Sequence, residues 1–234
     1  MFLIAGPCSV ESASMIEESC VFLESLGLTH ARGGCFKPRT KPGSFQGLGM
    51  EGLRLFRAAA DRHGLKVVSE IMDARDVGRA GDLVDVVQVG ARNAQNYDLL
   101  REVGRLGKPV LLKRGLAMTL DEWEGAAAYV LGGGCPELWL CERGHRTYMD
   151  HVRFMPDLAA IPLMRGRGFK VVFDPSHCAG RRDLVRPLAL AAVAAGADGL
   201  IVEAHPRPGS ALSDAAQQLT HGEFEELWAE LKGR

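Results

Sequence analysis

The chain has 234 residues, enough for one large domain or two small ones, and its 47% hydrophobic and 24% charged content is that of a globular protein rather than a disordered or fibrous one. Its 28 Lys and Arg balance 29 Asp and Glu, so no basic stripe or tail points to nucleic acid, and no interleaving of aromatic and basic residues suggests base stacking. The opening run MFLIAGPCS is too short to span a membrane and has no cationic leader, and the later run from Val185 to Val202 is broken by Arg186, Pro187 and Asp198, so neither a membrane partner nor export is expected and the cytoplasm is the expected location.

Short apolar runs alternate with longer amphipathic stretches along the whole chain. FLIAG comes first, followed by a helical pattern over residues 12–26, then HARGGCF and a second helical pattern over 48–63, where Leu53 and Phe56 mark the apolar face. LKVVSEI and VDVVQVG follow, then a helical stretch over 94–106, PVLLKRG, and another over 120–131. ELWLCERG and FKVVFDPS lead to a helical stretch over 183–195, GLIVEAH, and a last one over 214–231. Glycines at 27, 64, 107 and 196 punctuate helix ends. The strand candidates lack strict alternation, as expected of parallel strands buried on both faces. Eight such strands, each followed by a helix, predict a single (β/α)8 TIM barrel over residues 1–234, close to the usual size of about 250 residues. An open doubly wound sheet would carry fewer strands and a GxGxxG first turn, which this sequence lacks.

A barrel of this kind gathers its chemistry at the C-terminal ends of its strands. Those ends read Cys8-Ser9, Lys37-Pro38-Arg39-Thr40, Ser69-Glu70, Gly90-Ala91-Arg92-Asn93, Lys113-Arg114, Glu142-Arg143, Asp174-Pro175-Ser176-His177 and Glu203-Ala204-His205. The cations Arg32, Lys37, Arg39, Arg92, Lys113 and Arg143, with Arg146 at the margin, are too many for one phosphate and suit two anionic groups, or a phosphate plus a carboxylate. Cys8, His177, Glu203 and Asp214 form a mixed donor set suited to a divalent first-row transition metal. Singly, each has a plainer reading: Cys8 as a small buried residue, His177 as a helix cap with His205 the ligand instead, Glu203 as the partner of an arginine, Asp214 as the N-cap of the last helix. The six cysteines show no CxxC pair and are expected to be reduced.

The segments AGPCSVES, RGGCFKPRT, SFQGLG, SEIMD, QVGARNAQN, LLKRG, CERGHRT, DPSHCAGRRDLV, ADGLIVEAHP and ALSD, in this order over nearly the whole chain, resemble the 3-deoxy-D-arabino-heptulosonate 7-phosphate (DAHP) synthases, in particular their short type Iβ branch. The resemblance implies a transferase that condenses phosphoenolpyruvate with erythrose 4-phosphate, with release of phosphate, at the first step of the shikimate pathway. It implies a divalent metal (Mn, Fe, Co, Zn or similar) on Cys8, His177, Glu203 and Asp214. Phosphoenolpyruvate would lie on Arg32, Lys37, Ala91, Arg92, Lys113 and Arg143, and the phosphate of erythrose 4-phosphate on Arg39 and Thr40. Lys37, among other cations, is expected to have a lowered pKa and to move a proton, with Cys8 and His177 completing the catalytic set. A homo-oligomer, tetramer or dimer, is also implied.

The related 3-deoxy-D-manno-octulosonate 8-phosphate synthases, which use arabinose 5-phosphate, carry a KANRS-type segment where this chain has KPRT, so Pro38 and Arg39 favour the shorter sugar. Cys35, at a position where a smaller residue is expected, and Lys41-Pro42-Gly43 depart from the pattern in the loop beside the substrate. A metabolite-binding barrel without catalysis would require loss of Lys37 or of the metal set, and all are present. No segment resembling a ferredoxin-like or chorismate-mutase-like regulatory appendage is recognised, and insensitivity to phenylalanine and tyrosine is the expectation that follows.

Overall fold

A computed structural model describes residues 1–233. Eight parallel strands close into a barrel in chain order: β1 (Phe2–Gly6), β2 (His30–Arg32), β3 (Lys66–Glu70), β4 (Val86–Val89), β5 (Val110–Lys113), β6 (Leu138–Glu142), β7 (Lys170–Phe173) and β8 (Gly199–Glu203). Closure is made by β1 lying between β2 and β8, with Ile4 opposite both His30 and Ile201. The helices are α1 (Ala13–Ser25), α2 (Gly49–Arg62), α3 (Val77–Gly81), α4 (Tyr97–Arg105), α5 (Leu120–Gly132), α6 (Ala160–Gly166), α7 (Pro175–Ala179), α8 (Val185–Ala194) and α9 (His221–Lys232). No helix among the described residues is long and apolar enough to cross a membrane.

Side chains alternate across a strand, so each strand sends every second residue into the barrel. Ile4, Val68, Val86, Leu111, Trp139, Cys141, Val172 and Ile201 form one inner cluster, separate from the larger core between strands and helices. At the N-terminal end Phe2 packs on Trp139, ring centroids 4.8 Å apart, and His30 meets the same indole edge-on at 5.8 Å. That plug explains Gly199, where a Cβ would lie 2.9 Å from the Phe2 ring. Two residues beyond six of the inner-cluster positions the same face turns polar: Glu70 follows Val68, Gln88 follows Val86, Lys113 follows Leu111, Arg143 follows Cys141, Asp174 follows Val172 and Glu203 follows Ile201. The barrel thus has an apolar lower half and a charged upper mouth.

The expected strands and the six expected helices all form, with α3, α6 and α7 added as short helices. Boundaries shift at several ends: β2 stops at Arg32, short of the expected HARGGCF, and α4 starts at Tyr97 rather than Ala94, and the largest shift is in the last helix. The last helix begins at His221 rather than Asp214, capped by Thr220, whose hydroxyl accepts from Glu223 N while the Glu223 carboxylate accepts from Thr220 N. Residues 215–217 form a turn, Leu219 bridges to Ala204, and Asp214 sits at φ 47°, a left-handed conformation that a helix N-cap does not adopt.

Candidate active site at the barrel mouth

The mouth holds two connected chambers. The deeper, about 50 Å³, is lined by Arg32, Lys37, Glu70, Arg92, Lys113 and Arg143, among others. The outer, about 280 Å³, shares Lys37, Arg92 and Arg143 and adds Arg39, Thr40, Lys41, Ser44, Arg153 and Asp214. Ala91 lines both. All the expected substrate contacts therefore meet in one place. Arg146 is exposed and lines neither chamber, and Arg114 is turned away into a buried pairing with Glu142 and Asp157, at 2.9 and 2.8 Å.

The cations fall into two kinds. Arg32 donates to Glu203 at 2.7 Å and Lys113 to Asp174 at 2.6 Å, so these are already compensated. Among the described residues no carboxylate lies within ion-pair distance of Arg39, Arg92 or Arg143. Arg143 is the telling case. It is 5% exposed, its guanidinium carbon lies 3.9 Å from the centre of the Phe154 ring, and burial lowers its pKa. A buried guanidinium without a carboxylate partner is stabilised when an anion enters.

Beside the chambers is a cluster with metal-ligand chemistry. One donor atom each of Cys8, Glu203 and Asp214 lies within 4.8 Å of the others, and His177 Nε2 is 3.5 Å from Glu203 and 3.9 Å from Asp214. The His177 tautomer is fixed from behind: Nδ1 donates to Asp174 Oδ2 at 2.7 Å, while Asp174 Oδ1 accepts from His177 N and caps α7. Burial lowers the His177 pKa, so the imidazole is neutral and Nε2 offers a lone pair. Burial opposes the ionised form of Glu203, but His177 and Arg32 outweigh it and hold the group below its ordinary value. Burial opposes the ionised form of Asp214 too, but His177 and Arg153 outweigh it and hold the carboxyl well below its ordinary value. Burial, with the charge of Glu203 adding, pushes the Cys8 thiol up to about 12. A thiol, an imidazole and two ionised carboxylates converging in this way fit a divalent transition metal, whose binding would displace the thiol proton.

His205 is not part of this cluster. Its Nδ1 accepts from Arg207 N and its Nε2 faces Glu11 at 3.7 Å, so it fastens the β8 end to the loop instead. The plainer reading of Glu203 holds as well, since it does pair with Arg32 while facing the cluster.

Lys37 corrects an expectation. Its Nζ donates to Cys8 Sγ at 2.8 Å and to Cys8 O at 3.1 Å. Burial alone would depress the ammonium, but Cys8 and Glu203 outweigh that, and its pKa is raised rather than lowered. Arg32, a neighbouring cation that acts to depress it, is itself paired with Glu203. Lys37 is therefore a proton donor at rest.

Three further residues had no role assigned from the sequence. Glu70 lines both chambers with Oε1 unpartnered, its pKa raised by burial. A side chain at Gly90 would place its Cβ 2.1 Å from that oxygen, so the glycine leaves room for the carboxyl. Gln217 donates to Glu203 Oε2 at 2.7 Å, and Arg153 donates to Asp214 Oδ1 at 3.2 Å. Glu70 was legible as a strand-end acid; the other two lie in loops with no sequence pattern to mark them.

Fold and site together define a (β/α)8 barrel of the enzyme type, with a two-chamber anion-binding mouth beside a cluster able to hold a metal. Residues 1–233 match the DAHP synthetase I family, and the chain belongs to it. It is 48% identical over 231 residues to a phospho-2-dehydro-3-deoxyheptonate aldolase of Thermotoga maritima, covering 98% of this chain and 68% of that protein. Against a 2-dehydro-3-deoxyphosphooctonate aldolase of Acidithiobacillus ferrooxidans the identity is 32%, covering 97% of this chain and 86% of the relative. The crystal structure of the T. maritima DAHP synthase superposes with a TM-score of 0.96 at 47% identity, over all of this chain and 68% of that one. A truncated form of the T. maritima synthase gives 0.92 at 44% identity, over all of this chain and 86% of that one.

Proposed function

We infer that the protein is a DAHP synthase, a transferase that joins phosphoenolpyruvate to erythrose 4-phosphate and water, giving DAHP and inorganic phosphate. The observation that carries this reading is the division of the mouth. The deep chamber offers Arg32, Arg92, Lys113 and Arg143 to a small dianion, and the outer one offers Arg39 and Thr40 to a second phosphate. The much higher identity to the heptonate than to the octonate enzyme and the Pro38-Arg39 pair favour the four-carbon sugar.

In the mechanism, Arg92 and Arg143 neutralise phosphoenolpyruvate in the deep chamber, and the burial of Arg143 strengthens its contact. Arg39 and Thr40 hold the aldose phosphate so that its aldehyde carbon reaches C3 of phosphoenolpyruvate near Lys37. As the carbon–carbon bond forms, negative charge grows on the aldehyde oxygen, and the Lys37 ammonium donates a proton to it. Water adds at C2, and Glu70 Oε1, unpartnered and with a raised pKa, takes its proton. The hemiketal phosphate then loses inorganic phosphate, whose charge the arginines stabilise. Cys8, His177, Glu203 and Asp214 would hold a divalent cation, which would supply Lewis acidity to the aldehyde.

The test is to incubate purified protein with phosphoenolpyruvate and either erythrose 4-phosphate or arabinose 5-phosphate, with and without a chelator. Phosphate release with erythrose 4-phosphate alone, abolished by the chelator, is the expected result. Equal release with arabinose 5-phosphate, or none with either sugar, would overturn the assignment.

A further inference from the structure

The loop between β6 and α6 crosses the mouth as a strap, and its placement is fixed by backbone contacts. His145 and Met155 form an antiparallel bridge, while Arg153 N and Phe154 N donate to Ala179 O and Cys178 O at the end of α7. Two glycines make room for it. A Cβ on Gly144 (φ 84°) would lie 2.8 Å from Phe154 Cβ, and one on Gly180 (φ 67°) would lie 2.4 Å from Arg153 Cβ. Both glycines are in the left-handed region, so a side chain there is disfavoured twice over.

The strap delivers one guanidinium nitrogen to two acceptors. Arg153 Nη1 donates to Asp214 Oδ1 at 3.2 Å and to Gln217 Oε1 at 3.1 Å. With its oxygen engaged, the Gln217 amide turns its NH2 the other way, and Nε2 donates to Glu203 Oε2 at 2.7 Å. Each carboxylate is thereby divided. Asp214 keeps Oδ2 toward Cys8 Sγ, at 3.3 Å, and toward His177, while Glu203 keeps Oε1 toward Arg32 and His177. One oxygen of each is tied on the outside and the other left facing the cluster.

We propose that Arg153 is the positioning residue of the candidate metal centre, orienting Asp214 directly and Glu203 through the Gln217 amide. The proposal rests on the reading of the cluster as a metal site. As a stabilising ion pair the contact would matter little, because the Arg153 side chain is 38% exposed and exposed pairs contribute little to folding. Its importance lies in geometry: groups that orient metal ligands change metal affinity by about 10- to 100-fold when removed.

The experiment measures cobalt(II) affinity of metal-stripped full-length protein by competition with a chromophoric chelator, together with thermal unfolding of the metal-free form. Arg153→Met should weaken cobalt binding by about 10- to 100-fold with little change in the metal-free midpoint. Gln217→Met should weaken it less, and the double variant should fall short of the product of the single losses, because both act on Glu203 through one chain of bonds. Arg153→Lys, whose ammonium has donors enough for both acceptors, should recover most of the affinity. Cobalt affinity within about twofold of wild type in Arg153→Met, well inside the expected loss, overturns the proposal. So does a fall in the metal-free midpoint of Arg153→Met alongside wild-type affinity in Gln217→Met, which would mean packing alone. Should the wild type bind no cobalt, or Cys8→Ser bind it equally well, the metal reading itself fails, and the two failures are told apart.

Discussion

At the scale of single residues, the mouth is governed by which charges already have partners. Lys37 is half-buried, hydrogen-bonds the Cys8 sulfur and lies near Glu203, and these two neighbours hold its pKa above the ordinary value against the effect of burial. Replacing it with methionine keeps the length of the side chain and removes the proton. Turnover should then fall by about 10²–10⁴-fold, the usual contribution of a positioned acid. Phosphoenolpyruvate binding, followed by calorimetry, should weaken far less, because Arg92 and Arg143 remain. Near-normal turnover in Lys37→Met would remove the lysine from the mechanism. The same charge logic explains what could be read in advance. Arg32, Lys113 and Glu203 stand at strand ends, where alternation places them in the mouth whatever the loops do. Arg153 and Gln217 reach the site only because a strap and a turn happen to meet, and nothing in their spacing announces it.

At the scale of elements, buried parallel strands left little freedom of interpretation, because each is apolar on both faces and bounded by turn-forming residues. Ala215, Ala216 and Gln217 are good helix formers, so local preference extends the helical pattern of α9 back to Asp214. Local preference lost there to the hydrogen bonds that hold Asp214 and Gln217 against the site. On the outer ring, α1 and α2 are clamped by His63, whose Nδ1 is 2.7 Å from Glu24 and Nε2 2.9 Å from Glu17. These two carboxylates raise its pKa above the ordinary value. A histidine with a raised folded pKa contributes stability that is fully present below its unfolded pKa, about 6.5. That stability is lost as pH rises through the folded value. His63→Gln should therefore lower the urea midpoint at pH 5.5 by an amount worth no more than about 1 kcal/mol, since the clamp is near the surface. At pH 9 the variant and the wild type should unfold together, and an equal deficit at both pH values would show that charge is not the cause.

At the scale of the whole molecule, the barrel separates stability from chemistry along its axis. The lower half, with Phe2, Trp139 and the inner aliphatic cluster, is dry and apolar, and the helices add a continuous outer core. The upper half holds a ring of buried and half-buried charges, and on the proposed function two anions and a cation would complete its balance. Metal-stripped protein should therefore remain folded, and a divalent cation should stabilise it by mass action. At a hundredfold excess over its dissociation constant the gain is about 2.7 kcal/mol, which for a chain of this size raises the thermal midpoint by roughly 5–10 °C. The gain has a definite pH dependence. The carboxylates Glu203 and Asp214 are ionised and His177 is neutral in the ordinary working range, but Cys8 holds its proton up to about 12. Binding therefore releases about one proton, and apparent affinity should rise roughly tenfold per pH unit across the neutral range. At a fixed, low cobalt concentration the shift in midpoint should be larger at pH 8.5 than at pH 6.5. Cys8→Ser, which removes the thiolate, should lose most of the shift at both. A shift independent of pH in the wild type would mean that the cation is held without Cys8, leaving the carboxylates and His177 as its only ligands.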